Sequence, residues 1–143
     1  MGQDFFDHII GTDISTRALK SAVTAVYGLE KVAPVPLVLK RKYLLKSKDT
    51  HNKTVRIVPE LRAKVSFDWL NFIDSDYTSL PSFDVIFCRN VLIYFDRPTQ
   101  EKVIKKLCNK LKTNGFLFLG HSESVSQMDL PLVQIRPTIF KKV

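Results

Sequence analysis

The sequence is poor in cysteine and glycine and contains no long apolar run. Its 143 residues include five glycines and only two cysteines, Cys88 and Cys108, which are too few and too far apart for a disulfide framework or a metal knuckle. The three histidines, His8, His51 and His121, are scattered as well. No stretch approaches the roughly 18 apolar residues of a membrane span, and the polar start MGQDFFDH is not a signal peptide. These absences predict a reduced, cytoplasmic, metal-free protein with no membrane insertion.

Acidic residues are also scarce, because 14 Asp and Glu stand against 22 Lys and Arg, a net charge of +8. Such an excess fits binding to nucleic acid, binding to an acidic protein surface, or simple solubility. On a helix, one lysine-rich run would place apolar side chains on one face, namely Val103, Ile104, Leu107 and Leu111, and lysines largely elsewhere, namely Lys102, Lys105, Lys106 and Lys110. We interpret these lysines as a solvated face. No RNA-binding or helix-turn-helix signature is present, so we expect no nucleic-acid partner.

Apolar runs alternate with helical patterns along the chain, which predicts one α/β domain over residues 1–143. We expect strands in 8–14, 63–72, 82–89 and 115–124, a small antiparallel hairpin within 43–64, and edge strands near Pro137. The run before Arg89 is typical of a strand buried on both faces of a parallel sheet.

Two helices complete the expected pattern. One spans 15–28, capped by Ser15 or Asp13 and stopped by Gly28. The other begins after Asp96, with Pro98 in its first turn, and runs to Asn114-Gly115.

Polar residues follow four of the predicted strands at the point where each strand ends. They are Asp13, Asn71, Arg89-Asn90 and His121-Ser122-Glu123. In an open parallel sheet these ends converge on one crevice, where an acidic residue can accept both hydroxyls of a ribose. Asp13 equally fits a helix N-cap and Asn71 a plain turn. Arg89 is harder to explain structurally, since burying a guanidinium costs several kcal/mol unless it is paired.

Two segments carry a resemblance to a known family. FDVIFCRNVLIYFDRPTQEKVIKKL, followed by GFLFLGHSES, resembles the chemotaxis receptor methyltransferases (the CheR type), and the likeness runs from about Ile10 to Phe140. It implies a Rossmann-like methyltransferase domain that uses S-adenosylmethionine, with S-adenosylhomocysteine as product. It also implies methyl transfer to glutamate side chains of chemoreceptors, whose cytoplasmic domain is the partner.

The resemblance also implies roles for individual residues at the cofactor site. Asp13 matches the acid that holds the cofactor ribose, and Asn71 and Phe72 match the pair beside the adenine. Arg89 and Asn90 match polar residues of the cofactor crevice. No metal ligand is implied, because an ionised glutamate and an activated sulfonium need alignment in a dry pocket.

The resemblance also implies a catalytic residue and a substrate-binding segment. Tyr94 matches a tyrosine near the transferred methyl group, although an aromatic before a helix is often only a core residue. Residues from about 43 to 64 match an inserted antiparallel β-subdomain, whose edge accepts a receptor tail as an added strand in some members.

The family's first cofactor strand, its glycine-rich turn and its helical N-terminal domain would all precede Asp13, so the resemblance is to an N-terminally truncated domain. We therefore expect the strand ending at Asp13 to pair directly with the one ending at Arg89, or chains to associate as a homo-oligomer that covers the exposed edges. The alternatives to the enzyme are a non-catalytic interaction module that binds a receptor or regulator, and a basic nucleic-acid binder.

Overall fold

The computed structural model describes residues 8–49, 51–121, 125 and 128–143. Ser122 and Glu123 lie outside these ranges. The chain divides into two compact units, Met1–Asn71 and Phe72–Val143. Within the described ranges, no helix is both long and apolar enough to cross a membrane.

The first unit contains five strands and three helices among its described residues. They are β1 (Ile9–Asp13), α1 (Thr16–Thr24), β2 (Val26–Gly28), α2 (Leu37–Tyr43), β3 (Leu44–Lys46), β4 (Thr54–Ile57), α3 (Pro59–Arg62) and β5 (Val65–Trp69). Strands β1 and β5 pair in parallel, from Ile9 opposite Val65 to Asp13 opposite Trp69. The predicted strands at both positions are confirmed.

Helix α1 begins as predicted and ends earlier than predicted. The Ser15 hydroxyl accepts the backbone N–H of Ala18, which satisfies one of the free donors at the helix N-terminus. The helix ends at Thr24, so the predicted stop at Gly28 is wrong. Ala25 turns the chain with a φ of 55°, and the following residues become β2, which pairs with β4. Long-range pairing therefore overrides the local helical pattern.

The antiparallel hairpin predicted within 43–64 is present as β3 and β4. The sheet has a third strand, since the order is β2-β4-β3. Leu44 lies opposite Ile57 and Lys46 opposite Val55, and Val55 is the buried residue of β4. Strand β3 is thus a terminal strand of this small sheet.

The second unit contains four described strands, one 3-10 turn and one long helix. They are β6 (Phe83–Cys88), the 3-10 turn Leu92–Tyr94, α4 (Arg97–Lys110), β7 (Leu111–Leu119), β8 (Leu132–Arg136) and β9 (Ile139–Lys142). The sheet order is β6-β7-β9-β8, with β6 and β7 parallel. Strands β1 and β6 belong to different units and to different sheets, so the described sheets do not include the direct pairing expected as one of two alternatives. Association between chains stays a prediction.

Helix α4 supplies much of the core of the second unit. It begins after Asp96 with Pro98 in its first turn, as predicted, and Asp96 caps it by accepting the N–H of Thr99. Glu101 pairs with Lys105 at 2.7 Å on its surface. Its apolar face is buried, as predicted, through Val103, Ile104 and Leu107, together with Cys108.

The carboxyl end of α4 differs from the prediction, because the helix ends at Lys110 and not at Asn114-Gly115. The Lys142 ammonium, on β9, donates to the carbonyls of Cys108 and Leu111 at 2.7 Å each. A distant lysine thus binds two backbone carbonyls at the end of the helix, where a cation is favoured.

Two predictions about strand environment are partly wrong. Phe87 of β6 is 69% exposed and stacks on Phe118 at 4.7 Å, so β6 is not buried on both faces. Pro137 lies in the turn between β8 and β9, and of these two strands only β8 is an edge strand, since β9 pairs on both sides.

Gly115→Ala is expected to lower the free energy of unfolding by about 1–3 kcal/mol. An added Cβ would lie 2.8 Å from the Lys112 carbonyl oxygen and 2.9 Å from that of Asp84, and backbone atoms cannot move aside cheaply. Urea unfolding measures the change. Gly11→Ala is the control, because its nearest neighbours are ring atoms of the Phe67 side chain, and it should cost less. Equal losses in both variants would contradict this explanation.

Candidate functional site

In the first unit, Asp13 and Asn71 follow the carboxyl ends of two paired parallel strands. The N–H of Leu70 donates to the Asp13 carbonyl at 3.1 Å, and the Trp69 indole N–H donates to the Ile14 carbonyl at 2.8 Å. These bonds hold the two strand ends side by side. Asn71 is half-buried and the Asp13 side chain is exposed.

The Asp13 carboxylate is ordered by the start of α1. Its Oδ1 accepts the backbone N–H of Ser15 at 2.8 Å. Ser15 and not Asp13 is the N-cap of α1, so the capping interpretation of Asp13 is wrong. An exposed carboxylate held at a parallel strand end is chemically suited to accept hydrogen bonds from the hydroxyls of a ligand.

In the second unit, Arg89-Asn90 and His121 follow the carboxyl ends of the parallel strands β6 and β7. Cys88 lies opposite Leu119 in the register, and the polar residues come directly after this pair and the buried Gly120. Asn90 has a φ of 59°, a left-handed conformation that asparagine tolerates better than most residues. Arg89 is exposed, so the predicted cost of burying its guanidinium does not arise.

Tyr94 is presented to solvent by a short 3-10 turn. It is 79% exposed, which makes the alternative interpretation as an ordinary core aromatic wrong. The turn is anchored beneath it by Leu92, which is only 1% exposed. Gln100 of α4 donates through Nε2 to the carbonyls of Leu92 and Phe95, at 2.9 and 3.0 Å. Gln100 therefore fastens both sides of the turn that carries Tyr94.

Phe72 begins the second unit and is held by a residue that the sequence analysis did not single out. The Tyr77 hydroxyl donates to the Phe72 carbonyl at 3.0 Å, and the two rings meet edge to face at 6.2 Å. Tyr77 is 1% exposed and has a φ of 62°, a strained conformation for a bulky residue that surrounding contacts must maintain. Its polar neighbours in the sequence gave no signal of this burial.

Comparison with known proteins identifies the family. A family model described as "CheR methyltransferase, SAM binding domain" matches residues 2–139. The chain belongs to this family.

Curated CheR-family relatives agree with the match. The chemotaxis protein methyltransferase of Klebsiella aerogenes is 39% identical over 82% of this chain, and a second, from Pseudomonas aeruginosa, is 38% identical over 81%. That of Borreliella burgdorferi is 36% identical over 94%. The chain covers 40%, 41% and 46% of these relatives, so it spans less than half of their length. The predicted family and the α/β methyltransferase fold class are confirmed.

The candidate site residues therefore divide between the two units of this structure. Asp13 and Asn71 lie together in the first unit, and Arg89 and Asn90 lie together in the second. Within that unit Phe72 and Tyr94 sit on separate segments, each fastened by polar side chains. Their roles toward the cofactor stay predictions.

Tyr77 is expected to make the stability of the chain fall above pH 10. Burial raises the pKa of the Tyr77 hydroxyl above its ordinary value of 10.0, and Cys88 raises this pKa further. The unfolded chain ionises this group near pH 10 while the folded chain keeps it neutral, so its contribution is complete below pH 10. Above that, stability falls by up to about 1.4 kcal/mol per pH unit.

Urea unfolding of the wild type and of Tyr77→Phe between pH 8 and 11.5 measures this effect as a difference. Cys108, whose pKa burial raises to about 11 from 9.0, contributes to both proteins and cancels. Parallel stability curves above pH 10 would contradict the prediction.

Proposed function

We propose that this chain forms the cofactor-binding part of a protein-glutamate O-methyltransferase that modifies chemoreceptors. The observation that carries the proposal is the family match over residues 2–139. The names of the relatives, all chemotaxis protein methyltransferases, support the same activity. Because the chain spans less than half of those relatives, the activity is proposed for the whole protein to which this domain corresponds.

The described residues fit a nucleoside-bearing cofactor. Asp13 is an exposed, ordered carboxylate that would accept the ribose hydroxyls of S-adenosylmethionine. Asn71 offers an amide and Phe72 an aromatic ring, the groups that recognise the edge and the face of an adenine. Arg89 and Asn90 supply donors for the polar remainder of the cofactor.

Tyr94 is the proposed catalytic residue. When bound, S-adenosylmethionine supplies an activated methyl group, and a glutamate carboxylate is already ionised at neutral pH. The protein therefore has to align the two and exclude water, with no general base required. The exposed Tyr94 hydroxyl, on a turn fastened by Gln100, is suited to orienting the incoming carboxylate.

The proposed partner is the cytoplasmic domain of a chemoreceptor, and the proposed location is therefore the cytoplasm. The inserted β-subdomain, about 43–64, is the candidate docking element. Strand β3 is terminal in its sheet, and an extended receptor segment would add as a further strand along its outer edge.

Calorimetric titration of this 143-residue chain with S-adenosylhomocysteine tests the proposal. We expect binding with a micromolar dissociation constant. An assay with labelled S-adenosylmethionine and a receptor cytoplasmic domain then tests the proposed methyl transfer. A well-folded sample that releases no heat with this ligand would contradict cofactor binding by the chain.

A further inference from the structure

Helix α4 carries two lysines that do not lie on a solvated face, contrary to the prediction from sequence. Lys105 pairs with Glu101 at the surface, and Lys102 is exposed, as expected. Lys106 and Lys110 instead reach the segment 72–80, where both ammonium groups donate to backbone carbonyls. A role in solubility does not explain why these two ammonium groups bind backbone carbonyls.

Lys106 makes the more extensive set of contacts. Its ammonium group donates to the carbonyls of Phe72, Ile73 and Ser75, at 3.5, 2.8 and 2.5 Å. An ammonium has three N–H donors, so each has one carbonyl partner. Three carbonyl oxygens that converge on one point repel one another unless a cation lies between them. The charge of Lys106 therefore holds the backbone of 72–75 in its observed path.

Tyr77 contacts both Phe72 and Lys106. Its hydroxyl donates to the same Phe72 carbonyl that Lys106 approaches, and the Lys106 ammonium lies 5.2 Å from the centre of the Tyr77 ring. That distance is within the range of a cation–π contact. Phe72 is thus fixed through its carbonyl by two side chains and through its ring by one.

We propose that Lys106 is a positioning residue for the cofactor site, acting through the backbone of 72–75 to place Phe72 against the adenine. The inference rests on the proposed function, in which Phe72 contacts the cofactor. Lys106 itself does not touch the ligand.

Lys110 provides a contrast within the same helix and the same segment. Its ammonium donates to the carbonyls of Thr78 and Leu80, at 3.4 and 2.7 Å, which lie at the far end from Phe72. Loss of Lys110 should loosen the segment without displacing Phe72. A merely stabilising role would make the two lysines equivalent, whereas a positioning role makes only Lys106 matter for the ligand.

The test measures S-adenosylhomocysteine affinity by calorimetry and hydrogen–deuterium exchange of peptides covering 72–80. Lys106→Met keeps the apolar stem and removes the cation, and we expect about tenfold weaker binding and faster exchange in this segment. Lys106→Arg, which keeps a cation with several donors, should recover most of the affinity. Lys110→Met should speed exchange while changing affinity less than about threefold. Lys105→Met, on the same helix, should leave both readings unchanged.

Unchanged affinity in Lys106→Met, with a wild type that binds, would overturn the inference and leave the proposed function standing. Equal losses in Lys106→Met and Lys110→Met would also overturn it, since they indicate general stabilisation. A wild type that does not bind overturns the proposed function instead, and the positioning role with it. If Lys106→Met does not fold, Lys106→Gln, which keeps two N–H donors, carries the same comparison.

Discussion

Asp13→Ala is expected to weaken S-adenosylhomocysteine binding by about 1–3 kcal/mol, which corresponds to a roughly 5- to 150-fold higher dissociation constant. The carboxylate lies exposed at the end of β1, and the Ser15 N–H fixes its Oδ1 at 2.8 Å. Its removal would leave the two ribose hydroxyls without their charged acceptor. Calorimetry on the wild type and the variant measures the difference directly.

The same substitution also removes a contact at the start of α1, so a control must separate the two effects. Ser15→Ala deletes the N-cap hydroxyl that the Ala18 N–H uses and keeps the Asp13 carboxylate. It should lower the free energy of unfolding by about 1 kcal/mol and change the ligand affinity little. Asp13→Asn keeps the size and one acceptor oxygen and should give an intermediate affinity. Wild-type affinity in Asp13→Ala would show that the ribose assignment is wrong.

Local sequence patterns are sufficient to predict most of the strands and helices and the residues at which the helices begin. Ser15 and Asp96 cap α1 and α4 through bonds to residues three positions ahead, so the sequence alone contains both partners. The ends of the same helices depend on distant residues. Pairing of β2 with β4 stops α1, and the Lys142 ammonium caps α4 from 31 and 34 residues away along the chain. A local pattern cannot report such a partner.

In the candidate site too, some residues can be predicted from local patterns and others depend on contacts that are distant in the sequence. The positions of Asp13 and Arg89 at strand ends could be predicted, because a polar residue directly after an apolar strand is a local pattern. Lys106 was misinterpreted because nothing in a lysine-rich helix distinguishes a lysine that meets backbone carbonyls from one that meets water. Tyr77 was missed for a similar reason, since its burial depends on its contacts with Phe72 and Lys106 and not on its neighbours in the chain.

Ile104→Ala is expected to lower the free energy of unfolding by about 2–5 kcal/mol, more than is expected for Gly115→Ala. Ile104 is fully buried on the inner face of α4. Truncation leaves a cavity that close-packed neighbours fill only partly, so both transfer energy and packing contacts are lost. Urea unfolding measures the effect, and Ile104→Val, which removes a single methylene, should cost only about 0.5–1.5 kcal/mol.

This prediction bears on function because α4 is also the helix from which Gln100 and Lys106 reach the segments of Tyr94 and Phe72. A helix that shifts toward a new cavity carries both side chains with it. We therefore expect Ile104→Ala to weaken S-adenosylhomocysteine binding even where the protein remains folded, at low temperature and without denaturant. Full affinity in a folded but destabilised Ile104→Ala would show that the two segments keep their positions independently of α4.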